Sequence, residues 1–174
     1  MKFNREKLKA LVHYICRECR DPSKLGMTKL HKILWYSDGQ SYVRHGEPIT
    51  GERYIKMPYG PFADHLSGVL DDLQKEGKVY MHKVDFHGKE KYELIGKGEP
   101  DKSLFTDKEL TLINSMIKNI TEDHTAASIS DRTHNAIWEM AILKEEMPYE
   151  SLLARFVPLN DDDIAWAKSV IAQK

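Results

Sequence analysis

Eight histidines, two cysteines and several adjacent carboxylates are the residues of this chain whose types could do chemistry. Cys16 and Cys19 have the C-x-x-C spacing of a redox or metal site, which needs a βαβ context or a second ligand pair. Instead they continue the stripe Leu8, Leu11, Val12, Ile15, Cys16, Cys19 at helical spacing. A buried cysteine on such a stripe packs as a small hydrophobe. His13 and Cys16 stand one turn apart, which a core helix supplies without any catalytic requirement. Ser130, Asp131 and His134 have the types of a hydrolase triad, but residues so close on one helix rarely orient one. Helix capping by Ser130 or Asp131 is the plainer reading. Asp71–Asp72 and Asp161–Asp163 could meet a cation only if they converged, and neighbouring carboxylates on a helix point apart. The chain has no H-x-x-x-H pair, no H-E-x-x-H, no Gly-rich phosphate loop and no G-x-S-x-G. The expectation is a protein that is not an enzyme and has no catalytic, cofactor-binding or metal-binding residues.

A chain of 174 residues makes one domain, 1–174, with enough length to bury a core. Hydrophobic residues at 41% and charged residues at 30% suit a folded, water-facing protein. No window approaches the ~20 apolar residues of a membrane helix. The amino terminus, MKFNREKLKALVHYICREC, is broken by charges and lacks a small-residue cleavage site. The expected location is therefore the cytoplasm, with no membrane partner. Net charge is −1, but residues 1–60 hold 12 Lys+Arg against 6 Asp+Glu, while residues 101–174 hold 8 against 13. A chain built chiefly to grip nucleic acid is more often basic overall. The asymmetry suits a basic face or charge-steered docking on another protein.

The elements that must position these residues are mostly helices. The first runs from about Arg5 to Cys19 and stops at Asp21-Pro22. The second opens at Thr28 and closes before Gly46, with Arg44-His45 in its last turn. Its apolar residues Leu30, Ile33, Leu34, Trp35, Tyr36 and Val43 cover more than one stripe, so it is central. Arg53-Tyr54-Ile55 reads as a short extended piece. In Lys56–Phe62, KMPYGPF, Gly60 lets the chain turn and Pro61 fits the first position of a helix. Phe62, Leu66, Val69, Leu70 and Leu73 then follow a helical stripe to Gly77. KVYMHKVDF and KEKYELI alternate around His87-Gly88 as a hairpin, with Tyr80, His82, Val84 and Phe86 on one face. Thr106 and Glu109 form a capping box, with Phe105 and Leu110 as a hydrophobic staple. Further helices cover about Ala126 to Ser130, Thr133 to Leu143, and a last one capped by Asn160, with Ile164, Ala167 and Ile171 inward. The fold class is mainly α: a helical domain with one β-hairpin, in the winged-helix-like order helix-helix-helix-hairpin followed by further helices.

That order makes a DNA-binding regulator the strongest generic alternative. His87, Lys89 and Lys91 would sit at the wing tip, near phosphates. Against it, the helix that would read the groove carries Asp64, Asp71, Asp72 and Glu76 and only Lys75, whereas DNA affinity depends mainly on neutralising phosphates.

The segment KLHKILWYSDGQSYVRHGEPITGERYIKMPYGPFADHL resembles the SocA-like antitoxin, or Panacea, family. The residues that carry it are K-L-x-K-[IL]-L-[WY]-Y at Lys29 to Tyr36, continuing through Gln40 and Tyr42. Gly46, Pro48 and Ile49 follow, then Tyr54, then Tyr59, Gly60 and Pro61, and later His134 and Trp138. The ordered set spans roughly residues 5–155. The resemblance implies a small, mostly helical antitoxin that blocks a partner toxin by direct contact. A protease to which the chain delivers its toxin is a further partner the family allows. In the functional reading, the Tyr-Gly-Pro turn frames a groove for a partner segment, lined by Tyr54, Tyr59, Gly60, Pro61, His134 and Trp138. Tyrosine and tryptophan suit that role because they bury area while keeping a polar tip. The plainer alternative makes Gly60 and Pro61 backbone determinants, with His134 and Trp138 packed against the turn. A hydrolase using Ser130 and His134 is the remotest of the readings.

Overall fold

The computed structural model describes residues 2–86 and 88–156, together with Asp162, Ala165 and Ser169. The order is α1 (Arg5–Glu18), α2 (Gly26–His45), β1 (Tyr54–Met57), β2 (Gly60–Ala63), α3 (Leu66–Lys75), β3 (Val79–Phe86), β4 (Lys89–Gly96), α4 (Asp107–Glu122), α5 (Ala126–Thr133) and α6 (Ala136–Met140). Short 3-10 turns occupy Pro22–Lys24 and Tyr149–Phe156. Mainly α therefore holds, but there are two hairpins, and the first interrupts the expected helix-helix-helix-hairpin order. The expected last helix, capped by Asn160 with Ile164, Ala167 and Ile171 inward, falls outside the described residues.

α1 starts where its sequence signals place it, because the Asn4 side chain accepts a hydrogen bond from the Lys7 amide and caps the first turn. It buries Leu8, Leu11, Val12, Ile15 and Cys16. Both cysteines are free and buried, and burial pushes both thiols up, which makes them inert apolar fillers. The outer face of α1 meets α3 through ion pairs from Arg5 to Asp72 at 2.6 Å and from Lys9 to Glu76. Acidic residues of the supposed reading helix are thus spent inside the molecule.

α2 is the axis of the fold. It packs against α1, β2, β4, α4, α5 and the 3-10 turn at Tyr149–Phe156, so almost no face of it meets water. Leu30, Ile33, Leu34 and Trp35 are buried, and so are Lys29, His31, Lys32, Ser37 and Asp38. The helix opens at Gly26, two residues before Thr28, and stops at Gly46, whose amide still donates to the Tyr42 carbonyl and whose left-handed φ of 80° turns the chain out of the helix.

Correction is needed for KMPYGPF. It forms the β1–β2 hairpin, with Met57 opposite Gly60 and Tyr54 opposite Ala63 across the two-residue turn Pro58–Tyr59. Pro61 lies in β2, and the helix it was expected to open begins five residues later at Leu66. From there Leu66, Val69, Leu70 and Leu73 are buried as the stripe requires.

The second hairpin pairs Val79 with Gly96 through to Phe86 with Lys89. Its inward residues are Val79 and Leu94, with Met81 packed beside them. Tyr80 and His82, on the alternate face, are exposed. In the carboxyl-terminal part, the Thr106–Glu109 capping box forms as expected: Glu109 accepts from the Thr106 amide at 2.8 Å, and Thr106 accepts from the Glu109 amide at 3.3 Å. α5 is capped by Thr125 and runs on to Thr133, so Ser130 and Asp131 lie within it and do not cap it. The expected helix from Thr133 to Leu143 is shorter, because Asn135 accepts from the Ile137 and Trp138 amides and restarts the helix after a break at His134.

One buried carboxylate ties the first hairpin to this frame. Asp38 accepts hydrogen bonds from the Thr50 amide at 2.7 Å, the Thr50 hydroxyl at 2.6 Å and the Tyr54 phenol at 2.8 Å. Burial pushes the Asp38 carboxyl up to about 6, against the pull of those donors. A carboxyl raised in the folded state contributes stability that is full below the unfolded value and is lost as pH rises through about 6. Asp38→Asn is therefore expected to cost more stability at pH 4 than at pH 7, read from urea midpoints of both proteins at each pH. An equal cost at the two pH values would contradict this account.

Candidate functional site

The β1–β2 hairpin lies at the meeting of α2, α5 and α6, and its backbone accounts for the site. In an antiparallel strand, alternate residues direct both N–H and C=O to the same edge. On the outer edge of β2 and its preceding turn, those groups belong to Tyr59, Pro61 and Ala63. No strand covers that edge among the described residues. Instead α2 does so with two side chains. Lys32 Nζ donates to the Tyr59 carbonyl at 2.5 Å and to the Pro61 carbonyl at 3.3 Å. His31 Nδ1 accepts from the Ala63 amide at 3.0 Å. Proline fits at 61 because its missing amide would point to this strandless edge.

Both side chains titrate far from their ordinary values. Burial pushes the Lys32 ammonium down to about 7 and the His31 imidazole down to about 3, so His31 is neutral and carries its proton on Nε2. The ring also packs on Phe62, with centroids 4.2 Å apart.

Gly60 follows from the same contact. Its φ is 99°, a region that costs an L-residue strain, and a Cβ built there would overlap Lys32 Nζ and Thr133 Oγ1. Two requirements, a backbone conformation and a close approach to α2 and α5, make glycine the residue that fits.

On the other side, β1 is extended by residues 144–147. The Lys144 amide donates to the Lys56 carbonyl at 2.9 Å, the Lys56 amide to Glu145 at 2.9 Å, and the Met147 amide to Tyr54 at 2.7 Å. Lys144 takes a left-handed φ of 68° to make this approach. Trp138 completes the frame. Its Nε1 donates to the Met57 carbonyl at 3.3 Å, its ring stacks on His134 at 3.9 Å, and Lys56 Nζ lies 4.1 Å from the indole centroid. Lys56 Nζ also donates to the Ala141 carbonyl at 2.8 Å, which holds the end of α6.

The six residues singled out from sequence therefore converge on one hairpin, in different settings. Tyr54 is fully enclosed and bonded to Asp38. Gly60 and Pro61 are buried, while His134 and Trp138 are half-buried. Tyr59, at the tip, is 76% exposed. Leu143 at 51% and Met140 at 38% are also exposed, just before the segment paired with β1. His31, Lys32, Asp38, Lys56 and Thr133 also belong to the site and were not singled out. Ser130 is buried in α5, Asp131 is exposed, and His134 Nε2 is enclosed without a hydrogen-bond partner.

The second hairpin is less open to nucleic acid than its sequence suggests. Lys91 Nζ donates to the Ser23 carbonyl, and Lys83 is ion-paired to Glu90. His87 and the Lys89 side chain fall outside the described residues. Among the described residues, no cluster of three or more His, Cys, Asp or Glu could hold a metal.

Gly60→Ala is expected to destabilise the fold by about 3 kcal/mol, strain and overlap together. Gly88→Ala, where φ is 76° but no atom lies within 4 Å of the new Cβ, meets strain alone and costs about 1 kcal/mol. Urea unfolding of the two variants measures the difference.

A family model described as antitoxin SocA-like, Panacea domain, matches residues 30–139, from the first turns of α2 through α6. No curated protein and no solved structure matches the chain. The match covers the hairpin, the α2 side chains that hold it and the His134–Trp138 stack, and the chain belongs to the SocA-like antitoxin family, the Panacea domain.

Proposed function

We propose that this chain is an antitoxin that neutralises a partner toxin by direct contact, with the tip of the first hairpin as the docking element. The observation that carries the reading is Tyr59. It stands 76% exposed on a turn whose carbonyls are fastened from beneath by Lys32. A large exposed aromatic on a pinned backbone buries a large area on binding, and little of the turn remains to be ordered. Leu143 and Met140 extend the apolar surface, and polar backbone around them is already paired within the fold. Function of this kind depends on the shape of the exterior and needs no reactive group.

Other features support the same reading. No helix among the described residues is long and apolar enough to cross a membrane. Several cations that a phosphate backbone would need, Lys9, Lys83 and Lys91 among them, are engaged inside the molecule. We place the protein in the cytoplasm beside its toxin.

The test is co-expression with the product of the neighbouring reading frame. Wild type is expected to restore growth and to co-purify with that product. Tyr59→Ala is expected to keep its circular dichroism spectrum and lose rescue. Trp138→Ala removes an indole that braces Met57, Lys56 and His134, and is expected to lose about 3 kcal/mol of stability. Full rescue by Tyr59→Ala would remove the hairpin tip from the interface.

A further inference from the structure

We propose that Lys32 is the positioning residue for docking: its buried ammonium locks the Pro58–Tyr59 turn in the presented conformation, and its loss releases Tyr59 without unfolding the domain. The inference rests on the reading that Tyr59 is the docking element.

The geometry separates presentation from contact. Lys32 is 2% exposed and cannot itself touch a partner, yet its Nζ reaches the carbonyls on both sides of Gly60. An aromatic at the end of a two-residue turn has its direction set by the turn's backbone. Two hydrogen bonds from one cation to residues 59 and 61 fix that backbone across three positions. Among the described residues no other hydrogen bond reaches the Tyr59 carbonyl. Asp38 and the 144–147 segment hold β1 at the far end and on the opposite edge of the hairpin, and Trp138 holds the Met57 carbonyl where the turn begins, which leaves the side of the turn at Tyr59 and Pro61 to Lys32.

The donor is also one whose strength changes near neutral pH. A protonated amine gives three donors and charge-assisted hydrogen bonds, whereas the neutral amine gives two weaker ones. The elements around it bring few titrating neighbours. β1–β2 supplies the Tyr59 and Pro61 carbonyls, α5 the Thr133 hydroxyl followed by His134, and α2 His31, which burial keeps neutral above about 3. With burial holding Lys32 at about 7, the lock is closed at pH 6 and weakened by pH 8.5.

The experiment measures binding of the neighbouring-gene product between pH 6 and 8.5, for wild type, Lys32→Met, Tyr59→Ala and the double variant. Wild-type affinity is expected to fall about tenfold across the range, the loss of one charge-assisted hydrogen bond. Lys32→Met is expected to bind about tenfold more weakly than wild type at pH 6, with no pH dependence. Tyr59→Ala and the double variant should match each other at every pH, because removing the lock costs nothing once the presented ring is gone. If Lys32→Met does not fold, wild type against Tyr59→Ala still decides: a pH dependence present in the first and absent in the second is required. A flat wild-type profile, or a slope that survives in Tyr59→Ala, overturns the inference while leaving the docking reading intact. Wild-type affinity in Tyr59→Ala, or no binding by wild type, overturns the docking reading itself.

Discussion

Among the described residues no strand lies beside the outer edge of β2, and two side chains of α2 take a strand's place. A buried backbone donor or acceptor without a partner costs about 1–3 kcal/mol, so an enclosed strand edge is tolerated only if something satisfies it. Lys32 donates to the Tyr59 and Pro61 carbonyls and His31 accepts from the Ala63 amide. The middle position on that edge, 61, is a proline, which has no amide to satisfy. Residue types in two distant segments are thereby tied together. K-L-H-K on the helix answers Y-G-P-F-A on the hairpin, and neither segment makes sense alone. Glycine at 60 is the further consequence, since its φ is positive and a Cβ there would overlap the Lys32 ammonium and the Thr133 hydroxyl.

This arrangement is not the most stable one available. Lysine inside the protein is costly, and its folded value of about 7 stands below the ordinary 10.5. The folded state therefore binds fewer protons than the unfolded chain between those values, and stability from this group rises with pH across that window. Below about 7 the charge is buried and opposes folding. The surrounding apolar residues of α2, Leu30, Ile33 and Leu34, each fully buried and worth roughly 1.5–3 kcal/mol, carry that cost. What the charge supplies is a defined backbone at the hairpin tip, a case of specificity taken in exchange for stability. Asp38 does the same on the opposite strand with the opposite charge. One helix thus holds β2 with a cation and β1 with an acid, six residues apart.

Much of the fold was legible because its signals are local. The α1 stripe, the Gly46 stop and the Thr106–Glu109 box each depend on residues within one or two turns. Pro61 was misread because a proline before an apolar stripe looks the same whether it opens a helix or lies on a strand edge. Only α2, thirty residues away in sequence, distinguishes the two. Lys32 entered only through the K-L-x-K pattern and not as a site residue for a related reason, since nothing in its own type says whether a lysine is buried. A usable signal did exist. Apolar residues on α2 cover more than one stripe, which leaves no wet face for Lys29, Lys32 and Asp38. The late start of α6 was also readable, from Asn135 as a cap, but the apolar pattern through Trp138 masked it. The site residues drawn from the family resemblance gather at one place, and physical reasoning on the sequence had located the turn there without its partners.

The central claim is that the Lys32 ammonium is buried against the β2 edge as the donor to Tyr59 and Pro61. Nitrogen-15 NMR of its Nζ, followed from pH 5 to pH 10 in the folded chain, tests it most directly. The account predicts a slowly exchanging ammonium signal with a titration midpoint near 7. A midpoint near 10.5, the value of a lysine in water, would contradict it.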